Sequence, residues 1–87
     1  MNYHVRLHPQ VDKFLRKCEA NLSVRIKNKL WEIRENPFAF IERLETQDFY
    51  KLRIGDYRAL IDVDLKRKII FVRYIDHRKK IYKNMNK

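Results

Sequence analysis

The sequence predicts an α+β domain with an N-terminal strand, a hairpin of two helices, and three antiparallel strands that form a twisted sheet with the helices on one face. Two observations lead to this prediction. Apolar residues recur at helical spacing between residues 11 and 33, and they alternate with polar residues in the segments before and after. With 87 residues the chain can bury one core, so we predict a single domain over residues 1–87.

The first predicted strand ends where the first helix begins. Tyr3, Val5 and Leu7 alternate with polar residues, which is typical of a short strand with one buried face. Pro9 stops this strand, and its fixed φ suits the first turn of a helix. The apolar stripe of that helix consists of Val11, Phe14, Leu15 and Cys18.

A second helix follows after a short break. Asn21 and Ser23 are residue types that favour breaks and helix N-caps, so we place the break there. Pro37 ends the helix, because a proline disfavours helical geometry in the residue before it. The inner stripe of this second helix consists of Ile26, Leu30 and Ile33. Two helices with so short a connection form a hairpin.

The apolar period changes to two after residues 38–48, a mixed segment that we predict to be a loop. Gly55-Asp56 is a turn signal between two alternating runs, at residues 50–54 and 57–64. Residues 69–72 are apolar on both faces, as in a central strand. Short turns between consecutive strands imply antiparallel neighbours. The basic tail that begins at residue 78 is predicted to be partly ordered.

The chain has a large excess of positive charge. It contains 21 Lys and Arg against 11 Asp and Glu, which gives a formal net charge of +10. This charge favours a polyanionic partner, although solubility alone or adaptation to heat produces a similar composition. The sequence lacks phosphate-binding glycine motifs, a membrane-spanning apolar run and a secretory signal. Its one cysteine fits a reducing compartment, so we expect a cytoplasmic protein with no membrane partner.

Three cations are expected on one face of the predicted sheet. Lys51 and Arg53 alternate with the apolar residues of their strand, and Arg58 lies one residue off the apolar set of the next strand. Such a group can hold a phosphate and stabilise the charge that develops on it, and a lysine among cations can act as a base. RNA supplies its own nucleophile, the 2′-hydroxyl, so no metal is needed. The alternative is that these are ordinary solvated strand residues.

The order of these motifs resembles that of the RelE/ParE toxin superfamily of type II toxin–antitoxin pairs. The matching residues are 50–58, with the sequence Tyr-Lys-Leu-Arg-Ile-Gly-Asp-Tyr-Arg, then Asp76-His77-Arg78 and Tyr82. The opening strand and helical hairpin are also similar, so the resemblance covers nearly the whole chain. It implies a RelE-like fold and a ribosome-dependent, metal-independent mRNA endoribonuclease that uses the RNA 2′-hydroxyl, needs no cofactor and inhibits translation.

The resemblance also implies roles for single residues. Lys51 matches a catalytic lysine that serves as base or as charge stabiliser, and Arg53 falls where a second lysine or arginine is common. Arg58 matches the arginine that grips the scissile phosphate. Arg78 matches a second functional arginine, sometimes the acid, and Tyr82 matches a tyrosine that stacks on or orients the RNA. The spacing from Arg78 to Tyr82 is shorter than in some RelE proteins.

The function of residues 79–83 and the exact target are left open by the sequence. This segment is either a solvated tail or an RNA-facing arm, and in the second case the RNA-binding residues are His77, Lys79, Lys80 and Lys83. The alternatives to an mRNA endoribonuclease are a ParE-like inhibitor of DNA gyrase and a catalytically inactive module that acts through its antitoxin complex. In each case we expect an acidic RelB-like antitoxin to wrap the chain in a hetero-oligomer.

Overall fold

The computed structural model describes residues 2–44 and 49–85, with side chains through residue 81. Its elements, in chain order, are β1 His4–Leu7, α1 Pro9–Lys17, α2 Ala20–Glu32, a 3-10 turn Pro37–Ala39, β2 Ile41–Arg43, β3 Tyr50–Ile54, β4 Tyr57–Asp64, β5 Ile69–His77 and α3 Arg78–Met85. This mixed architecture confirms the predicted α+β class.

The sheet has five strands in the order β1-β5-β4-β3-β2. The last four strands along the chain, β2 to β5, pair antiparallel with one another, as their short connections require. β1 instead pairs parallel with β5, and the two helices of the hairpin follow β1 before the chain enters the rest of the sheet. β5 therefore has a neighbour on each side and is an interior strand, in agreement with its apolar sequence.

A single apolar core lies between the sheet and the pair formed by α1 and α2. The helices and the C-cap of α2 contribute Val11, Leu15, Ile26, Leu30 and Ile33, and the sheet contributes Leu52, Ile54, Ala59, Ile61, Ile70, Val72 and Ile75. We call the sheet face that bears these residues the inner face and the opposite face the outer face. The predicted helical stripes and the predicted alternation of β3 and β4 therefore meet in one core.

The helix boundaries follow the sequence at the start of α1 and depart from it at the start of α2. Pro9 is in the first turn of α1, and Nδ1 of His8 accepts a hydrogen bond from the Gln10 amide at 3.1 Å, which confirms the predicted start. α2 begins at Ala20, so the predicted break near Ser23 was placed too late. Ser23 is buried within α2, where packing overrides its capping preference.

Two of the strands and α-helices in the described part of the chain were not predicted from the sequence. β2, at Ile41–Arg43, lies within the segment predicted to be a loop and extends the sheet beyond β3. α3 is formed by the basic tail and packs on β4 and β5. Its residue Ile81 is 1% exposed, yet it lies outside the core cluster. α3 therefore has its own contact with the sheet. No helix among the described residues is long and apolar enough to cross a membrane.

Candidate functional site

The β3–β4 hairpin brings the three predicted cations to the outer face of the sheet. Arg53 is directly opposite Arg58 in the register, and Lys51 is opposite Leu60. Lys51 and Arg53 are two residues apart in one strand, so their side chains leave the same face. Leu52 and Ile54 leave the other face and are buried in the core. The sequence alternation and the hairpin register thus place the three cations as neighbours.

The turn of this hairpin depends on Gly55. Its φ is +58°, a left-handed conformation that residues with a Cβ adopt at a cost. A Cβ at this position would lie 3.2 Å from Nη1 of Arg25, which comes from α2. The predicted Gly55-Asp56 turn is therefore confirmed, and the Arg25 guanidinium packs against it.

Arg58 is a buried cation, with 4% of its surface exposed. Its Nη1 donates hydrogen bonds to the carbonyl oxygens of Gly55 at 2.7 Å and Tyr57 at 2.8 Å. The sequence predicts an exposed arginine on an uncovered face. The structure buries it, on the strands against which α3 packs. Arg58 is therefore fixed by the turn that precedes it.

Lys51 has an acidic neighbour that sequence analysis missed. Glu42 of β2 is opposite Lys51 in the register, and its Oε2 lies 3.7 Å from the lysine Nζ. The Lys51 side chain is 23% exposed and that of Glu42 is 78% exposed. Glu42 went unnoticed because a strand of three residues shows no recognisable period. It adds one negative charge at the edge of the cationic face.

Asp76 is a second acidic residue on the outer face. It is opposite Arg58 in the β4–β5 register. Its carboxylate accepts hydrogen bonds from the Tyr74 hydroxyl at 3.0 Å and from the His77 amide at 2.7 Å. These bonds hold the carboxylate at the end of β5, where the strand gives way to α3.

Arg78 begins α3 beside the hairpin turn. Its backbone amide donates to the carbonyl oxygen of Asp56 at 2.8 Å, which anchors the start of α3 at the end of the hairpin that bears Arg53 and Arg58. The Arg78 side chain is exposed, as are Lys79 and Lys80 on the first turn of α3. The side chains of Tyr82 and Lys83 lie outside the described part of the chain.

His77 is on the inner face, away from the cations. It is opposite Tyr57 in the register, and the two rings meet edge to face at 5.5 Å. Tyr57 in turn contacts Phe14 of α1, with the ring centres 5.9 Å apart. A register shift between Leu60 and Ile61 reverses the alternation of β5, and this reversal turns His77 inward. The His77 ring is therefore separated from the cations of the outer face, while its Nδ1 accepts a hydrogen bond from the Lys79 amide at 3.3 Å, at the start of the predicted RNA-binding segment.

The outer-face arrangement is suited to binding a phosphodiester. Two guanidinium groups and one ammonium group come from neighbouring positions of a single hairpin, and a rigid strand pair fixes their spacing. Guanidinium groups match the geometry of phosphate oxygens. Among the residues that the structure describes, no group of three or more His, Cys, Asp and Glu side chains is arranged to hold a metal ion.

Comparison with known families places the chain among the toxins of type II toxin–antitoxin systems. Residues 5–82 match the family described as "ParE toxin of type II toxin-antitoxin system, parDE". The candidate toxin RelE1 of Methanocaldococcus jannaschii is 30% identical over 89 residues, covering 97% of this chain and 99% of that protein. The resemblance stated from the sequence is therefore confirmed.

Solved structures show the same similarity. The archaeal RelE–RelB complex of Pyrococcus horikoshii contains a chain that is 29% identical, with a TM-score of 0.76 and coverage of 90% of this chain and 97% of that one. An arginine-substituted variant of Escherichia coli RelE in the free state is 27% identical, with a TM-score of 0.73 and coverage of 95% and 93%. Both similarities extend over nearly the whole fold.

Proposed function

Because the chain belongs to the RelE/ParE superfamily of toxins from type II toxin–antitoxin systems, we propose that it is an mRNA endoribonuclease that acts on the ribosome in the cytoplasm and inhibits translation. The observation that carries this proposal is the pairing of Arg53 with Arg58 across the β3–β4 hairpin, with Lys51 on the same face. Together these cations offer the charge and the hydrogen-bond donors that one RNA phosphodiester needs.

The proposed reaction uses the RNA 2′-hydroxyl as nucleophile and requires no metal ion. The 2′-oxygen attacks the adjacent phosphorus while the bond from phosphorus to the 5′-oxygen breaks, which leaves a 2′,3′-cyclic phosphate and a 5′-hydroxyl. Lys51 removes the 2′-hydroxyl proton or stabilises the charge, and Arg53 and Arg58 stabilise the negative charge that develops on the phosphoryl oxygens. Arg78 donates a proton to the departing 5′-oxygen, which becomes the 5′-hydroxyl. Tyr82 stacks on a base.

Arg58 can support this chemistry while it holds the hairpin turn. A guanidinium group has five N–H donors, and the two bonds to the turn carbonyls involve Nη1 alone. In the proposal, the donors on Nη2 and Nε bind the phosphate after RNA binding uncovers this side chain, which is 4% exposed in the structure. The turn then fixes the orientation of the guanidinium before RNA arrives, which reduces the entropy lost on binding.

We also propose that an acidic RelB-like antitoxin binds this chain in a toxin–antitoxin hetero-oligomer. Similar toxins have been solved in complex with RelB, including those of Pyrococcus horikoshii and Escherichia coli. The net charge of +10 favours an acidic partner, which would cover the outer face and exclude RNA.

Cleavage of mRNA in a translating extract tests the proposed activity. Wild-type protein should cut a reporter mRNA only while ribosomes translate it, and Lys51→Ala and Arg53→Ala should each reduce cleavage at least tenfold. Lys66→Ala removes the same charge from the exposed tip of the β4–β5 hairpin and serves as the matched control. Intact mRNA after incubation with folded wild-type protein would contradict the proposal.

A ParE-like action on DNA gyrase is the second candidate function. The family match itself is to the ParE toxin, and the burial of Arg58 against backbone carbonyls suits a structural role as well as a catalytic one. A supercoiling assay separates the two functions, because gyrase inhibition with intact mRNA supports the ParE-like action. Absence of both activities, together with tight antitoxin binding, supports a catalytically inactive module.

A further inference from the structure

A cationic groove lies between α2 and the β3–β4 turn, beside the outer face. Its volume is about 410 Å³, and its lining includes Arg25, Asn28, Lys29, Glu32, Arg53 and Gly55. Three of these residues are cations and one is an anion. The charge of the lining selects an anionic ligand over an apolar one.

α2 positions two of the cations, and their neighbours restrain both. Arg25 and Lys29 are four residues apart and therefore lie on one side of the helix. The Arg25 guanidinium packs against Gly55, whose missing side chain leaves room for it. The Lys29 ammonium lies 3.4 Å from Glu32 Oε2 and 4.9 Å from the centre of the Phe40 ring. The groove is thus built from side chains with defined contacts.

Arg53 connects this groove to the outer face. β2 pairs with β3 only through Tyr50, Lys51 and Leu52, so Arg53 lies beyond the end of β2 at an edge of the sheet that β2 leaves uncovered. Arg53 lines the groove and is also opposite Arg58. A line of positive charge therefore runs from the outer face, around the sheet edge, to α2.

We propose that this groove binds a second phosphodiester of the RNA strand whose scissile phosphate occupies the outer face. The inference rests on the proposed function and adds a flanking subsite to it. Proteins that bind a single strand follow its successive backbone phosphates along a cationic groove, and the shared residue Arg53 provides the continuity that this requires. Each arginine can donate two parallel hydrogen bonds to two oxygens of one phosphate, while Lys29 contributes a point charge.

An acidic antitoxin segment is the competing occupant, but it has less support. An antitoxin that covers the outer face would also pass Arg53, but it presents carboxylates only where its sequence has them, whereas every nucleotide of RNA carries a phosphate. A nucleic-acid strand spans both sites with one repeating charge. We therefore assign the groove to RNA and treat antitoxin binding as an outcome of the test.

Direct binding of a non-cleavable RNA tests the groove. The probe is a fluorescent single-stranded 2′-O-methyl oligonucleotide, which lacks the nucleophile, and binding is followed by anisotropy at several salt concentrations. The variant Arg25→Gln/Lys29→Gln should bind at least tenfold more weakly at low salt. The slope of log K against log salt should become shallower by about 0.7 for each phosphate that the variant no longer neutralises.

The control variant is Lys13→Gln/Lys17→Gln, on the exposed side of α1. It removes two positive charges at the same spacing of four residues. Its affinity should change less than threefold. Equal losses in the two variants would overturn the inference, because net charge alone would then explain them. The single variant Arg25→Lys keeps both positive charges of α2 in the groove. It should retain most of the wild-type affinity, provided that its thermal unfolding matches that of the wild type.

The results for the groove and for the proposed function can be told apart. Normal RNA binding by the groove variant, alongside mRNA cleavage by the wild type, would overturn the inference and leave the function standing. Selective loss of RNA binding in the groove variant, without any cleavage by the wild type, would support the groove and contradict the nuclease. Loss of antitoxin binding with unchanged RNA binding would overturn the inference in favour of an acidic protein segment.

Discussion

Arg58 Nη1 lies 2.7 Å from the carbonyl oxygen of Gly55, so the arginine proposed to bind phosphate also holds the turn of its own hairpin. The same nitrogen donates to the carbonyl oxygen of Tyr57 at 2.8 Å. A change at Arg58 therefore removes a proposed phosphate ligand and loosens the geometry that places Arg53 opposite it. Activity measurements on Arg58 variants have to be interpreted together with their stability.

Replacement of Arg58 by alanine should lower the free energy of unfolding. Hydrogen bonds from a charged donor contribute about 1.5–3 kcal/mol each, and the substitution leaves two turn carbonyls without this donor and opens a cavity, so we expect a loss of about 2–4 kcal/mol. Urea denaturation followed by tryptophan fluorescence measures it. Arg53→Ala, at an exposed position on the opposite strand, should cost less than about 1 kcal/mol.

This comparison tests whether Arg58 holds the turn. If Arg58→Ala and Arg53→Ala unfold at the same urea concentration with equal slopes, the bonds to Gly55 and Tyr57 contribute nothing measurable, and Arg58 acts only in binding. A stability loss confined to Arg58→Ala would show that any loss of cleavage in this variant contains a structural component.

Gly55→Ala should also destabilise the hairpin. The left-handed φ of +58° costs a residue with a Cβ about 1–2 kcal/mol, and the new methyl group would press on the Arg25 guanidinium at 3.2 Å. The free energy of unfolding should therefore fall by at least about 1 kcal/mol. Asp56→Ala is the control, because the neighbouring turn residue does not have a positive φ. Equal stability of the two variants would contradict this account of the turn.

The sequence predicts the β3–β4 hairpin well because two physical signals agree there. Alternation of apolar and polar residues determines which side chains leave each face, and Gly55 marks the turn that a positive φ requires. These signals are enough to place Lys51, Arg53 and Arg58 on one side of the sheet. The core of the helical hairpin follows equally well from its helical spacing.

The surroundings of these cations could not be predicted from such patterns. β2 has three residues, too few to show a period, so its contribution of Glu42 beside Lys51 was hidden. α3 buries Ile81 in a segment in which half of the residues are basic, a composition typical of a solvated tail. The register shift beside Leu60 leaves no clear mark in the sequence, yet it decides that His77 faces inward. Each of these features depends on contacts between distant segments.

Glu42→Gln should strengthen RNA binding. The carboxylate lies 3.7 Å from the Lys51 ammonium and repels an incoming phosphate. Because Glu42 is 78% exposed, solvent screens this repulsion, so we expect a two- to fivefold gain in affinity, equivalent to about 0.4–1 kcal/mol. Anisotropy with the 2′-O-methyl oligonucleotide measures it. Glu19→Gln, at the N-cap of α2, is the charge-matched control and should change affinity less.

A gain of the same size in both variants would mean that Glu42 acts only through net charge. Weaker binding by Glu42→Gln would contradict the prediction in a different way, because it would mean that the carboxylate holds Lys51 in the orientation that binds phosphate. The predicted gain in affinity is electrostatic, so it should decrease as the salt concentration rises.

Ile81→Ala should release α3 from the sheet while the main core stays folded. Ile81 is 1% exposed but lies outside the core cluster, so its methyl groups stabilise the docking of α3 on β4 and β5 rather than the packing of α1 and α2. Truncation of a buried isoleucine costs about 2–5 kcal/mol, and this loss should appear as local opening. Hydrogen exchange of the α3 amides should become at least tenfold faster, with β5 unchanged.

Ile81→Val is the conservative control, and its α3 amides should exchange at nearly the wild-type rate. Equal acceleration of α3 and β5 in Ile81→Ala would contradict this prediction, because it would show that α3 is part of the same cooperative unit as the core.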